Sequence, residues 1–292
     1  MKGLKNNTLG VVWEWFVELI SSRFNAMEAR AVGRLVFEHY LNTSTADFFI
    51  NRDIRINESD IVLLHNAAIE LNKSVPVQYI TGKAFFRELV LEVNPDVLIP
   101  RNETEELVQW IVEDEAALKN RKSGKISFWD IGTGSGAIAI SLAKELKNVQ
   151  VFASDFNDKA LDTARKNAEL NNVKVDFFLH DILSDTAPHQ LFDCIVSNPP
   201  YVRESEKAAM MSNVLDYEPH HALFVSDDDP LVFYRSIAET SKKCLVEGGW
   251  LYAEINENLG KETATLLNKH GFSQVEINRD IHGKERFVRG RL

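Results

Sequence analysis

Hydrophobic positions change their period twice along this chain. Over residues 1 to about 75 they recur at helical spacing. Val12, Phe16, Leu19 and Ile20 form one stripe. Ala31, Leu35 and Phe37 suggest a second helix that ends before the polar run NTSTADF. Ile61, Leu64, Ala68 and Leu71 share one face of a third, with Asn57 or Ser59 placed to cap it. Trp13, Trp15 and Phe16 read as the core of a small bundle, which carries no catalytic constellation and whose natural role is packing or docking. In residues 76–100, PVQYITGKAFFRELVLEVNPDVLIP, the period shortens. Phe86, Val90 and Leu91, then Val97 to Ile99, lie on either side of Asn94-Pro95, and the pattern predicts a β-hairpin linking two domains.

From about residue 101 strands alternate with helices. ISFWDIG precedes a helix with Ile138, Leu142 and Leu146 on one face; VQVFASD precedes one with Ala160, Ala164 and Ala168 on another. VDFFLHDI, FDCIVSNPP, a helix near 230–245 and the strand GWLYAEI follow. QVEINRDIHGKERFVRGRL closes the chain as an antiparallel hairpin turning at His282-Gly283. Such alternation predicts a doubly wound α/β fold, mostly parallel with an antiparallel strand at the end. Three segments result: a helical domain over 1–75, a hairpin linker over 76–100 and an α/β domain over 101–292.

A length of 292 residues admits one large domain or two ordinary ones. The formal charge of −10 weighs against duplex DNA or bulk RNA as the main partner, because phosphate neutralisation needs a basic surface. Cys194 and Cys244 sit among apolar neighbours and read as buried thiols in a reducing compartment. The histidines show no ligand spacing, so no metal is expected. Glu14 and Glu18 interrupt the apolar start, and nothing approaches a membrane-length run; a cytoplasmic location is expected.

Candidate chemistry collects at predicted strand ends. FWDIGTGSGAIAI sets Gly132, Gly134 and Gly136 between a strand and a helix, where glycines let the backbone approach a ligand at a helix N-terminus. The spacing is G-x-G-x-G, not the dinucleotide G-x-G-x-x-G, and no P-loop Lys-Ser/Thr pair follows. Asp155 ends the next strand, where it can accept hydrogen bonds from both hydroxyls of a ribose or cap the following helix with Asn157 nearby. Asp181 ends the third strand, placed either to hold an adenine amino group with Ile182 against the ring or to sit in water. The fourth strand exits through Asn198, Pro199, Pro200 and Tyr201. Two prolines supply no backbone donors and fix φ, so this segment cannot continue as a central strand, and it lies at the sheet edge where ligands bind in open α/β folds.

Together these features resemble the Rossmann-like, class I S-adenosylmethionine-dependent methyltransferases, in which Asn-Pro-Pro-Tyr is similar to the signature of enzymes that methylate planar conjugated nitrogens. PVQYITGKAFF, VLIPRNETEELV, WDIGTGSGAIAI, VSNPPYV, YEPHHALF and DIHGKERFVRGR occur in the order of the HemK/PrmC family of peptide chain release factor glutamine methyltransferases. The resemblance implies S-adenosyl-L-methionine held by Gly132, Thr133, Gly134, Ser135, Gly136, Asp155, Asp181, Ile182 and Asn198, without a metal. It implies catalysis and substrate binding by Asn198, Pro199, Pro200 and Tyr201, with methyl transfer to N5 of the glutamine in a release factor's Gly-Gly-Gln loop. An N-terminal helical domain would grip that factor. Gln78 would belong to the hairpin connector, and Arg101, Glu103 and Glu105 to the wall near the cofactor. Asn102 stands where the family has proline and Asn256 where it prefers glycine. The negative charge of Glu105 and Glu106 also suits a helix N-terminus. Two other readings compete: an adenine-N6 or guanine-N2 methyltransferase of nucleic acid, which would need a basic target-recognition region, and a non-catalytic cofactor-binding adaptor, which would not need Asn-Pro-Pro-Tyr.

Overall fold

The computed structural model describes residues 3–44, 46–114 and 125–292. The chain divides into two compact units: Met1–Lys83 with Met211–Tyr217, and Ala84–Met210 with Glu218–Leu292. The first contains helices α1 (Leu9–Ile20), α2 (Ala26–Leu41), α3 (Asp47–Ile50), α4 (Glu58–Asn72) and α5 (Val77–Thr81). Trp13, Trp15 and Phe16 are buried in its core, and Trp13 meets Phe37 edge to face at 5.2 Å. Such a pair adds about 0.5–1.5 kcal/mol beyond its buried area.

Four details depart from the sequence-based expectations. The buried face of α2 runs through Ala29, Gly33, Val36 and Phe37, with Ala31 exposed. Gly33 admits the Trp13 indole, which a Cβ there would meet at 3.0 Å, a packing need that hydrophobicity does not encode. Asn57 precedes α4, but its side chain donates to Asp60 and caps no backbone N–H; Asn25 is the side chain that caps a helix here, accepting from Met27 and Glu28. Pro76 opens α5 and Gly82, at φ 67°, closes it, so Gln78 lies on a helical turn and not in a hairpin. Residues 211–217, which the pattern places in the α/β domain, are part of the helical unit: Arg23 donates to Ser212 Oγ at 2.8 Å and the Tyr217 hydroxyl to the Lys73 carbonyl at 2.9 Å.

Strands β1 (Lys83–Phe86) and β2 (Leu89–Glu92) form the hairpin, with Ala84, Phe86, Leu89 and Leu91 inward. Its turn falls at Arg87-Glu88, not at Asn94-Pro95. Arg87 adopts φ 51° and is held there by Glu105, which accepts its N–H at 2.9 Å, and by Glu145 and Gln109 on its guanidinium. At Asn94 the side chain instead accepts from Asp96 N–H, a local turn after which Val97 and Ile99 are buried without pairing as a strand.

The α/β unit is organised by β3 (Ile126–Ile131), β4 (Val149–Asp155), β5 (Asp176–Leu179), β6 (Phe192–Ser197), the two-residue strands β7 (Val202–Arg203) and β8 (Phe224–Val225), β9 (Leu245–Glu254), β10 (Ser273–Arg279) and β11 (Glu285–Arg291). Among the described residues the main sheet has the order β10-β11-β9-β6-β3-β4-β5. Neighbours from β9 to β5 are parallel; β11 runs antiparallel to both its neighbours. The antiparallel strand is thus the last in sequence, as expected, but lies inside the edge. Helices α6 (Asn102–Glu113), α7 (Ala137–Glu145), α8 (Asp158–Leu170), α9 (Val232–Cys244) and α10 (Gly260–Lys269) complete the unit. All six residues of β6 are buried, Cys194 among them, and each aliphatic side chain so enclosed contributes about 1.5–3 kcal/mol relative to exposure.

Register decides what meets at the carboxyl edge. Ile131 pairs with Ser154 on one side and Ser197 on the other, and Ser197 pairs with Ala253. The glycine turn after Ile131, Asp155, Asn198 and Glu254 therefore leave the sheet side by side.

Candidate active site

Gly132, Thr133 and Gly134 lie between β3 and α7. The N–H groups of Gly132 and Thr133 both donate to the Ser154 carbonyl at 2.9 Å, and Gly134 N–H donates to Asp155 Oδ2 at 2.9 Å. The turn is thus tied to the neighbouring strand end by the Ser154 carbonyl and the Asp155 carboxylate. Gly134 has φ 55°, and a Cβ on it would meet nothing within 4 Å, so the glycine serves a left-handed backbone facing open space. Asn167 holds the Ser135 carbonyl at 2.9 Å, and Gly136 precedes α7. Asp155 is 7 % exposed; Asn157 N–H donates to its Oδ1 at 3.0 Å. Burial pushes its carboxyl above the usual range, while those two N–H groups and the nearby His221 oppose the shift. Asn157, not Asp155, caps α8.

Beneath the turn Asp130 is fully buried. The Thr133 hydroxyl donates to its Oδ2 at 2.6 Å and Ala139 N–H at 3.3 Å, while Oδ1 has no partner among the described residues. Burial pushes its pKa up to about 7, against the pull of Thr133 and Ala139.

Asn198 follows β6. Its Nδ2 donates to Thr104 Oγ1 at 3.0 Å; Thr104 donates to Glu254 Oε2 at 2.7 Å; the Tyr201 hydroxyl donates to Glu254 Oε1 at 2.8 Å. Thr104 and Glu254 are 5 % and 1 % exposed. Burial raises the Glu254 carboxyl, and the Thr104 and Tyr201 hydroxyls and the Arg286 charge oppose it.

One cavity of about 330 Å³ lies within the α/β unit, a size suited to a cofactor-scale ligand. Gly132, Thr133, Gly134 and Ser135 line it, with Asp155, Asp181, Ile182, Asn198, Pro199 and Pro200. Gly136 and Tyr201 do not; the Tyr201 ring packs against the core around Trp129 and Ile255. Both Asp181 oxygens serve their own turn, accepting from Leu183 N–H and the Ser184 hydroxyl. Arg101 lines the wall and pairs with the buried Glu218 at 2.7 Å, but Glu103 and Glu105 do not line it. Residue type and spacing do not single out Thr104, His221 or Glu254, the first two on the cavity wall and the third bonded to Thr104. Thr104 was hidden in an acidic run that looks like a helix start, and α6 does carry Glu103 and Glu105 in its first turn. Among the described residues no cluster of three His, Cys, Asp or Glu is placed to hold a metal ion, and no helix is long and apolar enough to cross a membrane.

This sheet order, with a glycine turn and strand-end polar groups around one cavity, defines a class I methyltransferase. Residues 115–224 match the family described as Methyltransferase small domain, and residues 14–82 the PrmC N-terminal domain. The chain is 44% identical to the release factor glutamine methyltransferase of Flavobacterium psychrophilum over 94% of its length and 95% of that protein's. It is 42% identical to the one from Bacteroides thetaiotaomicron, over 89% and 92%. A solved 16S rRNA N2 methyltransferase from T. thermophilus shares the fold, with TM-score 0.51 and 16% identity over 72% of this chain and 49% of that one. The chain belongs to the family of release factor glutamine methyltransferases.

Proposed function

We propose that this protein transfers a methyl group from S-adenosyl-L-methionine to the side-chain amide nitrogen, N5, of the glutamine in the Gly-Gly-Gln motif of peptide chain release factors, leaving S-adenosyl-L-homocysteine. The observation that carries this reading is that one cavity is lined by both the glycine turn with Asp155 and the Asn198-Pro199-Pro200 exit. The residues fit the cofactor: an open cradle at Gly132 and Gly134 accepts a ligand against the backbone, and Asp155 presents a buried carboxylate suited to ribose hydroxyls. Asp181 and Ile182 would flank the adenine. When bound, S-adenosylmethionine supplies a methyl group already activated by its sulfonium.

The chain must then orient a poor nucleophile, since an amide nitrogen's lone pair is delocalised into its carbonyl. Asn198 Oδ1 and the Pro199 carbonyl accept the two amide N–H hydrogens and favour charge developing on nitrogen. The prolines hold both acceptors rigid. Tyr201, whose hydroxyl is tethered to Glu254 and whose ring packs into the core, anchors the exit from behind the cavity wall. Good alignment alone can lower such a barrier by roughly 7–11 kcal/mol. No metal enters this reading. The helical unit has the docking role, the release factor is the partner rather than DNA or a membrane, and the cytoplasm is where both work.

Labelled S-adenosylmethionine offered separately with release factor, tRNA and DNA tests this. Label is expected in the release factor's glutamine. Label in nucleic acid alone would move the protein to the base methyltransferases, and cofactor binding without transfer to any of them would make it an adaptor.

A further inference from the structure

Asn198 has a carboxamide that presents an oxygen or, turned over, an N–H pair. Only the oxygen can accept a hydrogen from a target amide. Nothing in Asn198 itself selects between these orientations; its environment must.

The selecting partner is Thr104. Its hydroxyl stands 3.0 Å from Asn198 Nδ2 and 2.7 Å from Glu254 Oε2. A carboxylate only accepts, so Glu254 takes the Thr104 proton and leaves the Thr104 oxygen to accept from Asn198. Reversing Asn198 would set its Oδ1 against that lone pair, or would draw the Thr104 proton away from a carboxylate that is 1 % exposed. The same carboxylate takes the Tyr201 hydroxyl on its other oxygen at 2.8 Å. One buried group at the end of β9 thus anchors both polar residues of the strand exit, through α6 on one side and directly on the other.

We propose that Thr104 and Glu254 are positioning residues that fix the polarity of Asn198, so that its oxygen and not its N–H faces the target nitrogen. The proposal rests on the methyl-transfer reading for its consequence, though not for its geometry. Polarity set in this way favours a group that donates hydrogens, an amide or exocyclic amine, over a carbonyl or carboxylate.

Thr104→Val keeps the shape of the side chain and removes the hydroxyl; Thr104→Ser restores it. With release factor and saturating cofactor, Thr104→Val is expected to lower kcat about ten- to a hundredfold while cofactor Kd, read by calorimetry, stays within about twofold of the parent, as misorientation of a reacting group predicts. Thr104→Ser should recover most of the loss. In protein labelled with 15N-asparagine, the Asn198 side-chain N–H bonded to Thr104 should exchange slowly in the parent and in Thr104→Ser, and rapidly in Thr104→Val. Parental kcat in a folded Thr104→Val, or a Thr104→Ser variant as impaired as Thr104→Val, would overturn the proposal. So would fast exchange in the parent. If the parent methylates no release factor, the functional reading fails and the exchange comparison still decides whether the relay exists.

Discussion

The glycine-turn half of the cavity and its Asn198 half share one sheet edge but are held by different bonds. On the glycine side backbone N–H groups of Gly132, Thr133 and Gly134 reach Ser154 and Asp155 directly, and strand register alone brings them together. On the Asn198 side the chain of contacts passes through three side chains, Thr104, Glu254 and Tyr201, drawn from α6, the end of β9 and the strand exit. In the first half two of the three bonds end on the Ser154 carbonyl, which is present whatever the side chain, and the third ends on Asp155 Oδ2. The second depends on every hydroxyl and carboxylate in it. A ligand can be cradled by peptide geometry, whereas choosing which end of a carboxamide faces a substrate needs a side chain with a definite polarity.

The largest expected effect lies in the second half. Asn198→Ala removes an acceptor and admits water, and turnover should fall on the order of a hundred- to a thousandfold, as when a preorganised hydrogen-bond partner is lost elsewhere. Cofactor affinity separates this from a binding defect; near-parental single-turnover rates would place the reacting nitrogen elsewhere. On the glycine side, Asp155→Ala should raise the Kd for S-adenosylmethionine about tenfold or more, since each hydrogen bond to a charged group is worth roughly 1.5–3 kcal/mol. Unchanged calorimetric affinity would take Asp155 out of the cofactor site.

Asp130 offers a pH-dependent test of the same half. Its folded pKa is raised from 3.8 to about 7. The folded protein therefore holds a proton that the unfolded chain releases, and stability from this group is full below pH 3.8 and lost as pH rises through about 7. Asp130→Asn removes the titration. The Tm of the variant minus that of the parent should climb between those values and level off above them; a pH-independent difference would show that Asp130 does not titrate there. The smallest effect is expected at Asn256, which donates to the Tyr201 carbonyl at 3.0 Å and to Glu206 at 2.8 Å. Asn256→Gly, the residue that the family resemblance favours, should cost about 1–3 kcal/mol of stability in urea titrations and change turnover little. A large loss of kcat would mean that the Tyr201 backbone needs this tether.

Much of the placement of the glycine side is legible in the sequence. Gly132, Gly134 and Asp155 occur at the ends of strands that hydrophobic runs announce, and the structure sets all three on one cavity. Buried runs such as FDCIV likewise announce strands, because a segment enclosed on both faces is largely apolar, and its one charged residue, Asp193, accepts from the Ser127 N–H and hydroxyl at 2.8 Å. Other features resisted for a physical reason. The hairpin turns at Arg87 because Glu105, Glu145 and Gln109 hold it, and all three lie on elements formed later in the chain. The α2 face runs through Gly33 because an indole from α1 fills the space.

Residue type and spacing suffice where a property is local: strand or helix period, a left-handed glycine, a proline that ends a ladder, a carboxylate at a strand end. They do not suffice where a polar side chain takes its meaning from a partner far along the chain. Thr104 and Asn198 are 94 residues apart, and Thr104 and Glu254 are 150 apart. Thr104 and Glu254 are unremarked polar residues, and the orientation of the Asn198 carboxamide is undetermined, until parallel pairing of β6 with β9 sets Ala253 beside Ser197 and packing buries Thr104 and Glu254 away from water. Burial is what forces each donor to find an acceptor, and burial exists only once the sheet has closed.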